Sequence, residues 1–252
     1  MKISLKRVLF HIAFNGSNYH GWQIQNNAVT VQDTIEKSFN LLLNLNEKIN
    51  IVGCGRTDKG VHASQFFFHT DLPETIKLDS FNYKVNQILP NDILIINSYY
   101  TSDDFHARFS AVSRTYEYKI TQLKEPFQND FFTFEKNDLD IELMNKSCEK
   151  LMSYKDFTSF SKVHTDVNNF NCNVTKAFWI QKNHHIIFRI TANRFLRNMV
   201  RAVVGTMLLV GQKKLSILDF CKIIESKDRS SAGSSVKAKG LFLVNVDYKN
   251  EE

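Results

Sequence analysis

The stretch Ile49-Asn50-Ile51-Val52-Gly53-Cys54-Gly55-Arg56-Thr57-Asp58-Lys59-Gly60-Val61-His62-Ala63-Ser64-Gln65-Phe66-Phe67-Phe68-His69-Thr70 reads as strand, turn, strand. Ile49 to Gly53 and Ala63 to Thr70 are the strand-forming runs, and Gly55 and Gly60 punctuate the turn. Working outward, Thr30 opens a helix on the N-terminal side. Thr30-x-x-Asp33 resembles a capping box, and Val31, Ile35, Phe39, Leu42 and Leu43 recur at helical spacing. On the C-terminal side, Phe81 to Leu89 reads as a second helix stopped by Pro90. Two outer strands complete the unit. Lys6 to Phe14 alternates, with Val8, Phe10, Ile12 and Phe14 on one face until Asn15-Gly16 ends it, and Asp92 to Tyr100 is its counterpart. The order is βαββαβ.

The remainder repeats that order. Strands are predicted at Arg114 to Thr121, Val174 to Gln181, Ile186 to Ala192 and Leu241 to Tyr248, and helices at Ile141 to Met152, Phe195 to Val210 and Ile217 to Ser226. Two split βαβ units in tandem make an α+β fold of two halves, residues 1–112 and 113–252, with the boundary near Ala111 to Ser113. Their antiparallel sheets, each with helices on one face, are expected to join edge to edge and form a cleft.

Composition supports regular structure. Of 252 residues 43% are apolar, 21 of them Phe, and only 9 Gly and 3 Pro interrupt, which excludes a disordered chain and a mini-protein. Lys and Arg outnumber Asp and Glu by 32 to 26. Between Asp166 and Asp219 no acidic residue occurs, whereas Lys176, Lys182, Arg189, Arg194, Arg197, Arg201, Lys213 and Lys214 do, a local positive field suited to a phosphate backbone. Cys54, Cys148, Cys172 and Cys221 form no C-x-x-C pair, so they read as reduced thiols rather than a zinc knuckle or disulfide framework. No run approaches the ~18 apolar residues of a membrane span, and no cleavable leader is evident; a soluble, cytoplasmic protein is expected.

The candidate chemistry sits in the turn. Gly53, Gly55 and Gly60 are expected to allow a tight, positive-φ backbone and the close approach of another molecule. Asp58, flanked by Arg56, Lys59 and His62, is a candidate nucleophile or base; an ordinary turn is the plain alternative. The segment from Phe105 to Tyr118, with Arg108, Arg114, Tyr116 and Tyr118, interleaves cations and aromatics as base-stacking surfaces do, although one face of a core strand would look the same. Arg194, Arg197 and Arg201 fall at i, i+3 and i+7 on one face of the predicted helix. His184 and His185 are expected to point to opposite faces of a hairpin, and with His20, His62, His106 and His164 dispersed no metal site is expected.

Taken in order, these residues resemble the TruA family of tRNA pseudouridine synthases. The resemblance rests on Asn18-Tyr19-His20-Gly21-Trp22-Gln23-x-Gln25, Thr30-Val31-Gln32, Gly55 through Ala63, Arg108-Phe109-Ser110-Ala111 to Tyr116-x-Tyr118, Asn198-Met199-Val200-Arg201, and Gly240-Leu241. It implies an isomerase that converts uridine to pseudouridine at positions 38, 39 and 40 of the tRNA anticodon arm, as a homodimer, without metal or organic cofactor. It also implies two ferredoxin-like, RRM-like halves forming a continuous antiparallel sheet with a central RNA-binding cleft. By the same resemblance Asp58 is catalytic, Arg201 pairs with its carboxylate, Tyr116 packs against the uracil, and Arg56 helps expose the base; Arg108, Arg114, Arg194, Arg197 and Lys237 are candidate RNA contacts. Asp58 attack on C6, attack on C1′, and assistance of glycal formation all remain open. The family often carries Ala-Pro before Gly240, where this chain has Ser234-Ser235-Val236-Lys237-Ala238-Lys239, so a looser segment is expected there. A catalytically weak tRNA-binding protein or chaperone of the same fold, a synthase of altered RNA specificity, and a hydrolase using Asp58 with His62 are the competing readings.

Overall fold

The structure is a computed structural model that describes residues 4–43, 48–162 and 168–249. His164 and Asp166 lie outside them. The described residues form nine strands, mostly antiparallel, and five α-helices, an α+β protein in two compact units: Met1–Val112 with Leu243–Glu252, and Ser113–Phe242. Among the described residues no helix is long and apolar enough to cross a membrane.

In the first unit the chain runs β1 (Leu5–Phe14), α1 (Val31–Leu43), β2 (Val52–Gly53), β3 (His62–Pro73), α2 (Leu78–Ile88) and β4 (Ile93–Tyr100). β1 is central, antiparallel to both β3 and β4, with Phe10 opposite Phe68 and Ser98. The alternation predicted for β1 has its physical cause here: Val8, Phe10, Ile12 and Phe14 are buried. Phe10 stacks on Phe68 with centroids 4.8 Å apart, and Phe39 of α1 and Phe81 of α2 meet this pair edge-on, locking both helices to one face of the sheet.

Two boundaries differ from expectation for local reasons. Of the predicted strand Ile49 to Gly53 only Val52–Gly53 pairs with β3, because α1 side chains take the backbone groups before it. Asn40 accepts from the Ile49 N–H at 2.8 Å, Glu36 from that of Ile51 at 3.1 Å, and Gln32 donates to the Ile51 carbonyl at 3.1 Å. α2 begins a turn early, at Leu78, where Lys77 provides no side-chain cap that a sequence reading could detect. At α1 the Thr30 hydroxyl does accept the Asp33 N–H, at 3.3 Å.

The second unit comprises β5 (Ala111–Thr121) from Ser113 onward, β6 (Thr133–Phe134), α3 (Ile141–Ser153), β7 (Val174–Lys182), β8 (His185–Ala192), α4 (Met199–Gly211), α5 (Ile217–Ser226) and the start of β9 (Leu241–Tyr248), whose remainder groups with the first unit. β8 lies between β5 and β7, antiparallel to each, with Phe188 opposite Tyr118 and Trp179. The two-residue β6, parallel to β5, was not predicted. Tyr118, Phe157, Phe160, Phe188 and Phe220 are fully buried, and α4 is apolar nearly all round because it runs through this core. Cys54, Cys148 and Cys172 are buried.

The predicted helix from Phe195 is corrected to a start at Met199. Asn198 adopts the left-handed conformation, φ +67°, which no helix can continue through. Arg194 and Arg197 therefore lie before the helix, and of the three arginines only Arg201 is on it.

Candidate active site

The first unit builds the Asp58 loop by knitting three sequence motifs together through main-chain hydrogen bonds. The Gly60 N–H donates to the Tyr19 carbonyl at 3.2 Å, Trp22 N–H to Thr57 at 3.4 Å, and Val61 N–H to Asp58 at 3.1 Å. Segment 18–25 in turn receives α1, with Val31 N–H on Gly21 at 3.2 Å and Gln32 N–H on Trp22 at 3.1 Å. Tyr19 anchors the other end by donating its hydroxyl to Asp92 at 2.5 Å, and burial with that partner pushes its pKa up. The loop is thus fixed by backbone atoms. Asp58 is left half-buried and Arg56 exposed.

The glycines are not alike, which corrects the expectation of a shared positive-φ role. Gly60 alone of the three has φ above zero, +74°. Gly53 is a packing site, since a Cβ there would sit 2.5 Å from the Trp22 indole nitrogen. At Gly55 a Cβ would meet nothing within 4 Å. Protein packing therefore does not require Gly55 to lack a side chain, and the space beside it is open. Gly55→Ala is accordingly expected to leave the melting temperature within about 2 °C of wild type, as for a substitution that meets no neighbouring atom and needs no positive φ. Its turnover on RNA is expected to fall by about tenfold or more, read by parallel melting and initial-rate measurements. Unchanged turnover would remove Gly55 from the substrate surface. Beside it, the Thr57 hydroxyl is buried without a hydrogen-bond partner, an arrangement that ordinarily costs about 1–3 kcal/mol.

His62, the partner a hydrolase reading requires, is buried, and its Nδ1 accepts the Gly16 N–H at 3.1 Å. That bond places the neutral ring's proton on Nε2 and gives the imidazole a structural task.

In the second unit, Arg201 stands in the first turn of α4 and is tied to segment 233–237 from both ends. Its Nε donates to the Val236 carbonyl at 2.8 Å, and its own carbonyl accepts the Val236 N–H at 3.2 Å. The segment is held further by Gly233 N–H on the Thr206 hydroxyl at 3.0 Å, Asn198 Nδ2 on Ser235 Oγ at 2.6 Å, and Arg229 on the same oxygen at 2.8 Å. Tyr118, buried and with its pKa pushed up to about 12 by that burial, donates to the Lys237 carbonyl at 2.9 Å and pairs with Thr133 at 2.7 Å. The looseness expected from the missing proline is therefore corrected: serine hydroxyls and main-chain bonds hold the segment. Arg229 was not singled out from sequence, and Asn198 and Ser235 were quoted only as parts of longer stretches, without the bond between them; the αL-tolerant Asn198 was the available signal.

Tyr116 and Tyr118 share a strand face but differ in role. Tyr118 is core, whereas Tyr116 is half-buried, its ring edge-on to Phe195 at 5.1 Å. Arg114 donates to the Asn193 carbonyl at 2.9 Å; Arg197 and Lys237 are exposed and Arg194 half-buried. In the first unit Arg108 is exposed and lies over the ring of Phe109, itself 75% exposed. The positive field expected of 167–218 is partly neutralised by acids from elsewhere in the chain: Arg189 pairs with Glu117, and Lys213 with Asp140 at 3.3 Å. The placement of His184 and His185 is also corrected. His184 sits in the turn itself, after Asn183 at φ +55°, so strand alternation does not govern it, and both imidazoles reach Glu125.

Comparison with known proteins matches residues 148–249 to a family model described as tRNA pseudouridine synthase. Proteins named tRNA pseudouridine synthase A are similar over almost the whole chain. That of Parabacteroides distasonis is 46% identical over 98% of both chains, that of Porphyromonas gingivalis 45% over 98% of this chain and 99% of its own, and that of Clostridium acetobutylicum 37% over 97% and 100%.

Proposed function

Because the chain belongs to the tRNA pseudouridine synthase A family, an isomerase family acting on tRNA uridines, we propose that it forms pseudouridine at positions 38, 39 and 40 of the anticodon arm. The observation that carries this reading is the Asp58 loop, built on a backbone scaffold within a chain similar end to end to synthases. The reaction breaks the ribose C1′–N1 bond and joins C1′ to C5; C5 loses a proton and N1 gains one. It is redox-neutral and internally balanced, so its chemistry calls for neither a metal nor an organic cofactor. What it requires is a carboxylate, a flat surface on which the detached uracil turns, and cations to hold the backbone. Asp58 supplies the first, with Arg201 as its ion partner. The half-buried Tyr116 supplies the second, and Arg56 helps hold the base out of the stack.

Arg108, Arg114, Arg194, Arg197 and Lys237 contact the RNA in this proposal, and flipping the target costs a few kcal/mol that phosphate contacts offset. Two tandem ferredoxin-like halves around a central RNA-binding cleft, a homodimer and a cytoplasmic location belong to the same proposal. The element order β1-α1-β2-β3-α2-β4 supports the first of these.

The test is incubation of the purified protein with unmodified tRNA transcripts bearing uridine at 38, 39 or 40, followed by carbodiimide labelling and primer extension. Stops confined to those positions are expected. Stops elsewhere would assign another specificity, and tRNA binding without any stop would assign a binding protein or chaperone.

A further inference from the structure

At the surface of the second unit, Glu125, His184 and His185 bring three metal-binding side chains together. His184 Nε2 lies 2.9 Å from Glu125 Oε1 and His185 Nε2 lies 2.8 Å from Oε2, and one ligand atom from each falls within 4.8 Å of the others. The imidazole centroids are 4.3 Å apart. The arrangement is supported from outside: the His185 ring stacks on Phe132 at 4.5 Å, and the His184 carbonyl accepts the Gln122 N–H at 2.9 Å. The three side chains are 20 to 35% exposed, open enough for an ion to enter.

We propose that Glu125, His184 and His185 bind a zinc-class divalent cation. Two imidazoles and a carboxylate form a donor set that zinc takes, with water completing a tetrahedron. Tetrahedral ligands about 2.0–2.1 Å from zinc are about 3.3 Å from one another, so the contact to whichever carboxylate oxygen binds the ion must open by roughly 0.4–0.5 Å while the second imidazole gives up the other oxygen and turns to the same ion, a movement within reach of surface side chains. On entry the ion replaces the two contacts between imidazole and carboxylate, each Nε2 gives its lone pair to the metal, and the ring proton resides on Nδ1. The carboxylate is already positioned between the two rings, which lowers the ordering cost. Its place in the fold gives the ion a structural task. Glu125 begins the turn Pro126–Gln128 in the connection from β5 to β6, while the histidines close the β7–β8 hairpin, so the ion would tie connection to hairpin. His185 pairs with Thr121, five positions along β5 from Tyr116, which separates this site from the residues assigned to the reaction.

The experiment titrates chelator-treated full-length protein with zinc chloride by calorimetry and with cobalt chloride by absorption. One equivalent is expected to bind with a dissociation constant in the micromolar range or below, raising the melting temperature. Glu125→Gln and the double variant His184→Ala/His185→Ala are each expected to weaken zinc binding more than tenfold. The cobalt spectrum of the unaltered protein should show nitrogen and oxygen ligands without a thiolate charge-transfer band, which decides the matter even where a variant fails to fold. Absence of stoichiometric binding, unchanged affinity in folded variants, or a thiolate band from a cysteine such as Cys221 would each overturn the proposal.

Discussion

Asp58→Ala should stop pseudouridine formation while leaving the protein folded and bound to tRNA. If the carboxylate is the group that attacks or takes a proton, no neighbour replaces it, and losses from deleting such groups run to about 10⁴-fold or more. Folding should survive because the loop is fixed through main-chain atoms: the Asp58 and Thr57 carbonyls accept from Val61 and Trp22, and Gly60 N–H donates to Tyr19, bonds that alanine retains. Binding should survive because a carboxylate adds nothing to the attraction of a polyanion, so tRNA affinity is expected to change by less than about threefold. Single-turnover kinetics and filter binding on one preparation give both numbers. Residual activity within tenfold of wild type would remove Asp58 from the chemistry.

How much of this was legible in the sequence depends on the kind of force involved. β1 was read from alternation because Val8, Phe10, Ile12 and Phe14 are all buried, Phe10 against the Phe39–Phe68–Phe81 cluster and Phe14 against Trp22 and Phe66, and burial imposes a period on sequence. The Asp58 loop was visible as a dense polar motif, yet the separate tasks of Gly53, Gly55 and Gly60 depend on neighbours distant in sequence and could not be read from spacing. The start of α4 was misread because Leu196, Met199, Val200 and Val203 continue a helical apolar pattern across Asn198, and hydropathy does not register a left-handed residue. His184 was misplaced for a similar reason, alternation being a rule of strands and not of the turn between them. Segment 233–237 has no apolar period at all. Its order comes from hydrogen bonds to Asn198, Arg201, Thr206 and Arg229, which no local pattern announces.

Gly205, which interrupts the apolar run of α4, tests whether that segment matters. A Cβ on Gly205 would lie 1.9 Å from the Ser234 carbonyl oxygen and 3.0 Å from its carbon, and these are backbone atoms that cannot rotate away. Gly233 answers from the other side, where a Cβ would lie 3.0 Å from Thr206 Cα, so helix and segment touch backbone to backbone. Helix propensity alone favours alanine over glycine by about 1 kcal/mol. Against that, seating the methyl group forces residues 233–236 outward and strains the Gly233–Thr206 bond and the two between Arg201 and Val236, each worth about 1 kcal/mol. Gly205→Ala should therefore destabilise the protein by about 2 kcal/mol, lowering the melting temperature by roughly 4–8 °C at this chain length. Arg201 loses the carbonyl that orients it, and if it partners the Asp58 carboxylate as proposed, a displacement near 1 Å at such a group can cost about 100-fold in rate. Turnover should fall by that order, measured at a temperature where the variant remains folded. A melting temperature that rose, as propensity alone requires, would show that the segment yields without cost; a normal rate despite a lowered melting temperature would show that Arg201 does not depend on Val236 for its position.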